Sequence, residues 1–276
     1  MNVQRDTVQP GLRWLEALTA SAGLRESGPR TVRLADAPLG GEATRFIAVV
    51  PDAANRFPRA REGEVGLEEG WTLALLVRAT IAADRGQRPR PIVAIVDVSS
   101  QAYGRREELL GIHLACAAAV DAYASARLAG HPVVALLVGK AMSGAFLAHG
   151  YQANRILALA SPEVLVHAMS KAAAARVTRR SVAELEELGS RIPPLAYDIA
   201  SFARLGLLHR LISGVSATAP SPEDVERVRG ELAAAILDAR ASGRDLAVRL
   251  TSAASRATRA ASIAVRQRLA EQWDAP

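Results

Sequence analysis

The chain predicts an α/β fold built on parallel strands, and three observations carry that prediction. Between Leu67 and Leu159 the segments alternate as helix, strand, polar loop, helix, strand, polar loop, helix, strand. Two of the strands, Pro91–Val96 and Val133–Val138, are continuous apolar runs rich in β-branched residues, long enough for a buried strand and too short for a membrane span. Each runs into a helix through small and polar residues.

Before this alternation, Leu12, Trp14, Leu15 and Leu18 recur at helical spacing and predict a short amphipathic helix over Gly11–Ser21. Two strand-like runs follow, Thr31–Leu34 and Phe46–Val50, with a turn at Pro38-Leu39-Gly40-Gly41. A loop of mixed charge, Asp52–Gly63, leads into a helix over Leu67–Asp84, whose first turn holds Glu68 and Glu69, a placement the helix dipole favours. The strand Pro91–Val96 stops at Asp97-Val98-Ser99-Ser100-Gln101-Ala102-Tyr103-Gly104. An Ala-rich helix is expected over Arg105–Leu128, with Ala115, Ala117, Ala118 and Ala119 permitting close approach to a neighbour. The next strand breaks at Gly139, Lys140-Ala141-Met142-Ser143 connects, and Gly144–Ala148 opens a buried helix before the strand Ile156–Leu159. Val164–Val166 is one further short strand, and the remainder reads as helical. There Ser181-Val182-Ala183-Glu184 is a capping box and Ser221-Pro222 sets an N-cap serine before a proline at the first helical position. Residues 1–241 read as one domain and 242–276 as an Ala- and Arg-rich helical tail, lying on that domain or on a partner.

Half of the 276 residues are hydrophobic but only 4% are aromatic, so the core is mostly Ala, Leu and Val. The 34 Lys and Arg against 28 Asp and Glu give a net charge of +6, yet the basic residues are nearly all scattered arginines beside acids. A basic patch interleaved with aromatics, as nucleic-acid binding requires, is missing; the charge excess reads as a solvated surface, with attraction of an acidic protein partner as the alternative. The lone Cys116 excludes an intrachain disulfide and a cysteine metal cluster, and the histidines form no His-x-x-x-His pair. No apolar core of a secretory signal opens the sequence and no apolar run spans a membrane, so a cytoplasmic location is expected.

The candidate chemistry lies at Ser143-Gly144-Ala145. Where a strand feeds a helix through small residues, the first N–H groups of the helix lack internal partners and form an anion site. Gly139 and Gly144 have phosphate-loop spacing, but Ala145-Phe146 replaces the Lys-Ser/Thr that would follow, and no Gly-x-Gly-x-x-Gly follows a strand. Ala141-Met142-Ser143-Gly144-Ala145 has the shape of a nucleophile elbow with alanines for its outer glycines, with His167 and Asp198 downstream, which sets a serine hydrolase against the anion-site reading. Lys171, Arg176, Arg179 and Arg180 form a basic cluster, either a solvated face or a docking site for an anionic carrier.

Taken together, IVAIVDVSSQAYGRREELLGIHLA and VVALLVGKAMSGAFLAHGYQANRILAL resemble the paired strand–helix crossings of the acyl-CoA carboxyltransferase family, within the crotonase/Clp superfamily. The first crossing there usually reads Asp-Thr-Pro-Gly and the second Gly-Gly-Ala; the corresponding residues here are Asp97-Val98-Ser99-Ser100 and Ser143-Gly144-Ala145. GKAMSGAFLAHGYQANR, VHAM and AARVTRRSVAELE resemble more closely the gamma-subunit family of biotin-independent malonate decarboxylases. GKAMSGAF also resembles the active-site run of Clp-type serine peptidases, with the turn one residue short.

The resemblance implies a crotonase-like, carboxyltransferase-type spiral of strand–helix units with a helical C-terminal part. It further implies pairing with a homologous beta subunit to decarboxylate malonyl carried as a thioester on an acyl carrier protein. This chain would then bind no cofactor of its own, biotin included; the thioester sits on a phosphopantetheine-type arm of the carrier. The amides of Gly144 and Ala145 become the catalytic groups, Ser143 and His167 the candidate proton donors, and Ser99, Ser100, Gln101, Tyr103, Lys140 and Met142 the residues expected to line the substrate. The alternatives are carboxyl transfer to biotin, a non-catalytic docking subunit and a Clp-like serine peptidase.

Overall fold

In the computed structural model, which describes residues 9–20, 25–26 and 28–273, the strands assemble into one eight-stranded sheet. Ser21, the last residue of the expected N-terminal helix, lies outside the described residues, as do residues 1–8, 22–24, 27 and 274–276. The sheet order is β1-β2-β3-β4-β5-β6-β8, with β7 paired to β5 off this path. β1 (Arg25–Glu26), β2 (Val32–Leu39) and β3 (Glu42–Val49) are antiparallel, whereas β3, β4 (Ile92–Val98), β5 (Val133–Met142), β6 (Arg155–Leu159) and β8 (Arg210–Ile212) run parallel. The β2–β3 hairpin turns on Gly40 (φ +58°) and Gly41 (φ +80°), a tight turn whose two central residues both need the left-handed region.

α1 (Pro10–Thr19) buries Trp14, Leu15 and Leu18 on the sheet, and the Trp14 indole N–H donates to the Ala217 carbonyl (3.0 Å). α2 (Leu67–Ala83) lies on α4 (Ile112–Leu128) so closely that a Cβ at Gly70 would be 2.8 Å from the Ala115 carbonyl carbon; the small residues serve the predicted close approach. Glu69, in the first turn of α2, is fully buried and accepts from the Thr31 hydroxyl, Asn55 Nδ2 (3.0 Å) and Gly66 N–H (3.0 Å), while burial raises its pKa.

Several boundaries differ from the sequence reading: β2 and β3 extend beyond Thr31–Leu34 and Phe46–Val50 and pair along their whole length up to Leu39 and Glu42, and the strand expected at Val164–Val166 is Val166–His167. The helix expected over Arg105–Leu128 is broken into α3 (Arg105–Leu109) and α4 by Gly111, whose φ of +83° no helix accommodates. The strand expected to break at Gly139 continues to Met142: its register against β4 shifts between Val96 and Val98, and β7 (Val166–His167) then takes up Ala141 and Met142. β8, three residues at the sheet edge and mostly unburied, carries too little apolar signal to stand out in the sequence.

α5 (Ser143–Ala148) follows β5; α6 (Lys171–Thr178), α7 (Val182–Arg191) and α8 (Ile199–Arg204) follow β7. The Ser181 capping box and the N-cap Ser221 with Pro222 form as expected and start α7 and α9 (Pro222–Ala241); Ser221 also makes a capping box with Asp224. Beyond α9, α10 (Val248–Thr251) and α11 (Ala253–Thr258) fold back onto the body, where Thr258 Oγ1 donates to the Arg204 carbonyl (3.1 Å). α12 (Ala260–Trp273) buries none of its residues and leaves Trp273 85% exposed. Among the described residues no helix is long and apolar enough to cross a membrane.

One core histidine makes stability depend on pH. His149 is fully buried, with Nε2 against the Ile95 carbonyl (3.0 Å) and Nδ1 against the Tyr123 hydroxyl (3.0 Å), and burial pushes its pKa down from 6.5 to about 4. Below pH 6.5 the unfolded chain binds a proton that the folded chain refuses, so stability falls from pH 6.5 to about 4 and levels beyond. Urea unfolding at pH 7 and pH 4.5 is expected to show a loss about 3 kcal/mol larger in the wild type than in His149→Gln.

Candidate active site at the β5–α5 turn

β4 and β5 end side by side, Val98 opposite Ala141, which puts the Asp97–Gly104 loop next to the β5–α5 turn. Asp97 ties the two to the N-terminal helix: Oδ1 accepts the Lys140 N–H (3.0 Å) and Oδ2 the Gly11 N–H (3.3 Å). Its carboxylate fills the space where Gly139 has no side chain, and burial raises its pKa.

Ser143 sits at φ +56°, a left-handed conformation uncommon for a non-glycine residue and common at functional turns. Its hydroxyl donates to the Ala168 carbonyl (2.5 Å), not to a base. His167 Nδ1 engages the backbone of Met169, 3.0 Å from O and 3.2 Å from N, and its ring stacks on Tyr197 at 3.9 Å and 14°. Burial lowers the His167 pKa, which keeps the ring neutral at pH 7. Asp198 caps α8 by accepting the Ser201 N–H (2.8 Å). Ser143, His167 and Asp198 therefore form no proton relay, and the serine-hydrolase reading is corrected on that ground.

The Gly144 N–H is not open, as the sequence led one to expect: it donates to Gln101 Oε1 (2.9 Å), reaching across from the β4–α3 loop. Ala145, one residue on, is fully buried. The first amide after Ser143 is thus capped by a neutral amide oxygen.

The site residues expected from the sequence fall around three hollows, and none of the six expected to line the substrate borders the first of them. Ser143, Gly144 and His167 border a largely apolar cleft of about 530 Å³, with Phe146, Tyr151 and Phe202 in its walls. Lys140 and Ser99 face a separate acidic hollow of about 470 Å³ with Glu62, Glu64, Asp97 and Glu163. Ser99, Ser100, Gln101 and Tyr103 line a third of about 170 Å³, while Met142 is buried, 6% exposed. The aromatic wall was missed: Phe146 meets Tyr151 edge-on at 5.4 Å and Phe202 at 6.5 Å, and in a chain so poor in aromatics their convergence downstream of Gly144 was the available signal. In the basic cluster, Lys171 pairs with Glu186 (2.6 Å), while Arg176, Arg179 and Arg180 are exposed. Among the described residues no cluster of His, Cys, Asp or Glu could hold a metal ion.

Comparison with known proteins fixes the family. The family model described as malonate decarboxylase gamma subunit matches residues 60–273. A subunit in the crystal structure of a Pseudomonas malonate decarboxylase hetero-tetramer in complex with coenzyme A is 58% identical, over 96% of this chain and 100% of that one, with a TM-score of 0.91. The malonyl-S-ACP:biotin-protein carboxyltransferase of Malonomonas rubra is 40% identical over 195 residues, which are 69% of this chain and 66%, just under two thirds, of that relative's length. Transcarboxylase 12S, at 19% identity and a TM-score of 0.57 over 77% of this chain and 36% of that one, shares the carboxyltransferase-type crotonase-like fold. Family model, fold and near relatives agree with the motifs at both strand–helix crossings: the chain belongs to the malonate decarboxylase gamma subunit family.

Proposed function

We propose that this chain pairs with a homologous beta subunit and that the two together decarboxylate malonyl held as a thioester on an acyl carrier protein, giving the acetyl thioester and CO₂. The observation that carries the reading is the Gly144 N–H of the β5–α5 turn, which belongs to a residue bordering the apolar cleft and is held only by a displaceable neutral amide, in a chain of this family. The hetero-tetrameric assembly and bound coenzyme A of the Pseudomonas relative support a partner subunit and a thioester-bearing arm.

Breaking the bond between the α-carbon and the carboxylate leaves an electron pair that the thioester carbonyl accepts as an enolate. Backbone donors aimed at that oxygen stabilise it without themselves titrating, each worth on the order of 10²–10³ in rate. A proton then adds at the α-carbon, and Ser143 and His167 are the side chains at the cleft able to carry it. The apolar cleft suits the arm of the carrier, because its walls exclude water from the forming charge. In the resting chain Gln101 stands in for the substrate oxygen; a charged oxygen is the stronger acceptor and displaces it.

Gln101→Ala removes that competitor. In the reconstituted complex it is expected to lower the KM for malonyl-loaded carrier about two- to ten-fold, the worth of one neutral hydrogen bond. A raised KM would instead make Gln101 a substrate ligand. The function itself is tested by co-expressing the chain with neighbouring subunits and measuring CO₂ release from a malonyl-loaded carrier. Release insensitive to avidin is the expected result. The 40% identity to a biotin-protein carboxyltransferase favours a second reading, carboxyl transfer to biotin, and avidin inhibition would select it.

A further inference from the structure

The wall of the cleft is held from behind by the C-terminal helices. Arg249, on α10, is only 6% exposed, and among the described residues no acidic side chain acts on it. Its Nη2 donates to the Ala153 carbonyl (2.5 Å), its Cζ lies 4.9 Å from the centre of the Tyr151 ring, and its Nε is buried without a partner. A guanidinium buried without an acid is costly, and here burial pulls its pKa down to about 10. Its compensation is the face of Tyr151 and one carbonyl. Tyr151 in turn braces Phe146, and both rings border the cleft.

A second tether acts on another part of the lining. Ser255, fully buried on α11, donates to the Arg249 carbonyl (2.7 Å) and lies 3.3 Å from the Gly206 carbonyl. Gly206, at φ +71°, has no room for a side chain because the Ser252 and Ser255 hydroxyls occupy it. The turn so clamped carries Leu205 and Leu207 into the same cleft. The C-terminal segment thus contacts two parts of the cleft's lining without contributing a lining residue of its own.

We propose that Arg249 is a positioning residue for the substrate cleft, fixing Tyr151 as its wall, so that the C-terminal segment sets how well the cleft holds the thioester arm. This rests on the reading of the cleft as the seat of that arm. Arg249→Met keeps the length of the side chain and removes the uncompensated charge. In the reconstituted complex, Arg249→Met is expected to raise the KM for malonyl-loaded carrier about ten-fold with kcat within about two-fold, the pattern of lost binding common to ground and transition states. Tyr151→Ala is expected to do the same, and the double variant to be no worse than either, because both remove one unit. Arg249→Lys, which retains the charge but not the planar stack, is expected to raise KM about three-fold and serves if the methionine variant proves insoluble. A lowered melting temperature with unchanged KM in these variants, or additive effects in the double variant, would overturn the proposal. A wild-type complex that releases no CO₂ would overturn the underlying reading instead.

Discussion

Gly144→Val in the reconstituted two-subunit complex is expected to cut CO₂ release from malonyl-loaded carrier by about 10²–10³ while assembly with the partner survives. Gly144 is not in the left-handed region, so its backbone admits a side chain without strain. What it lacks is space on one side: a Cβ there would lie 3.2 Å from Gln101 Oε1 and 3.3 Å from its Cδ. Alanine would nudge a flexible side chain aside. A branched residue would push Gln101 out and then stand where the substrate oxygen must reach the amide. If the chain served only to dock and complete the partner's site, the valine variant would assemble and turn over normally. Gel filtration and a CO₂ assay on the same preparation separate the two outcomes.

Much of this architecture was legible because the signals are local. The strand at Pro91–Val96, the Ser181 capping box, the N-cap Ser221 before Pro222 and the small-residue contact of α2 on α4 each rest on a few neighbouring residues whose chemistry admits one arrangement. The misreadings share a different cause. Gly139 looks like a strand breaker, yet β5 passes through it because the Asp97 carboxylate, 42 positions away, takes the place of a side chain. Gly144 looks like an open anion site, yet its amide is held by Gln101 from the other crossing. Both loops were recognised as functional from their small and polar residues. That they face each other, and through which atoms, depends on the parallel pairing of β4 with β5 and on a register shift that no local pattern records. The tail is similar: its arginines read as one undifferentiated run, while Arg249 alone is buried against an aromatic ring.

The same Asp97–Gly139 contact yields the largest expected loss of stability. Gly139→Ala places a methyl group into the Asp97 carboxylate, which must turn away and give up the Lys140 and Gly11 N–H groups. Overpacking and two broken hydrogen bonds to a buried charged group together cost about 4 kcal/mol. Asp97→Ala alone also destabilises, because it strands the same two donors. In the double variant, however, the methyl group meets empty space, so the second substitution adds little. Urea denaturation of the four proteins is expected to give a coupling energy of about 2–3 kcal/mol. Simple additivity would mean that Gly139 is small for some reason other than Asp97. Activity discriminates further: since Asp97 joins α1 to the approach of the β5–α5 turn, Asp97→Ala should slow CO₂ release even where the protein remains folded, by misaligning the Gly144 and Ala145 amides.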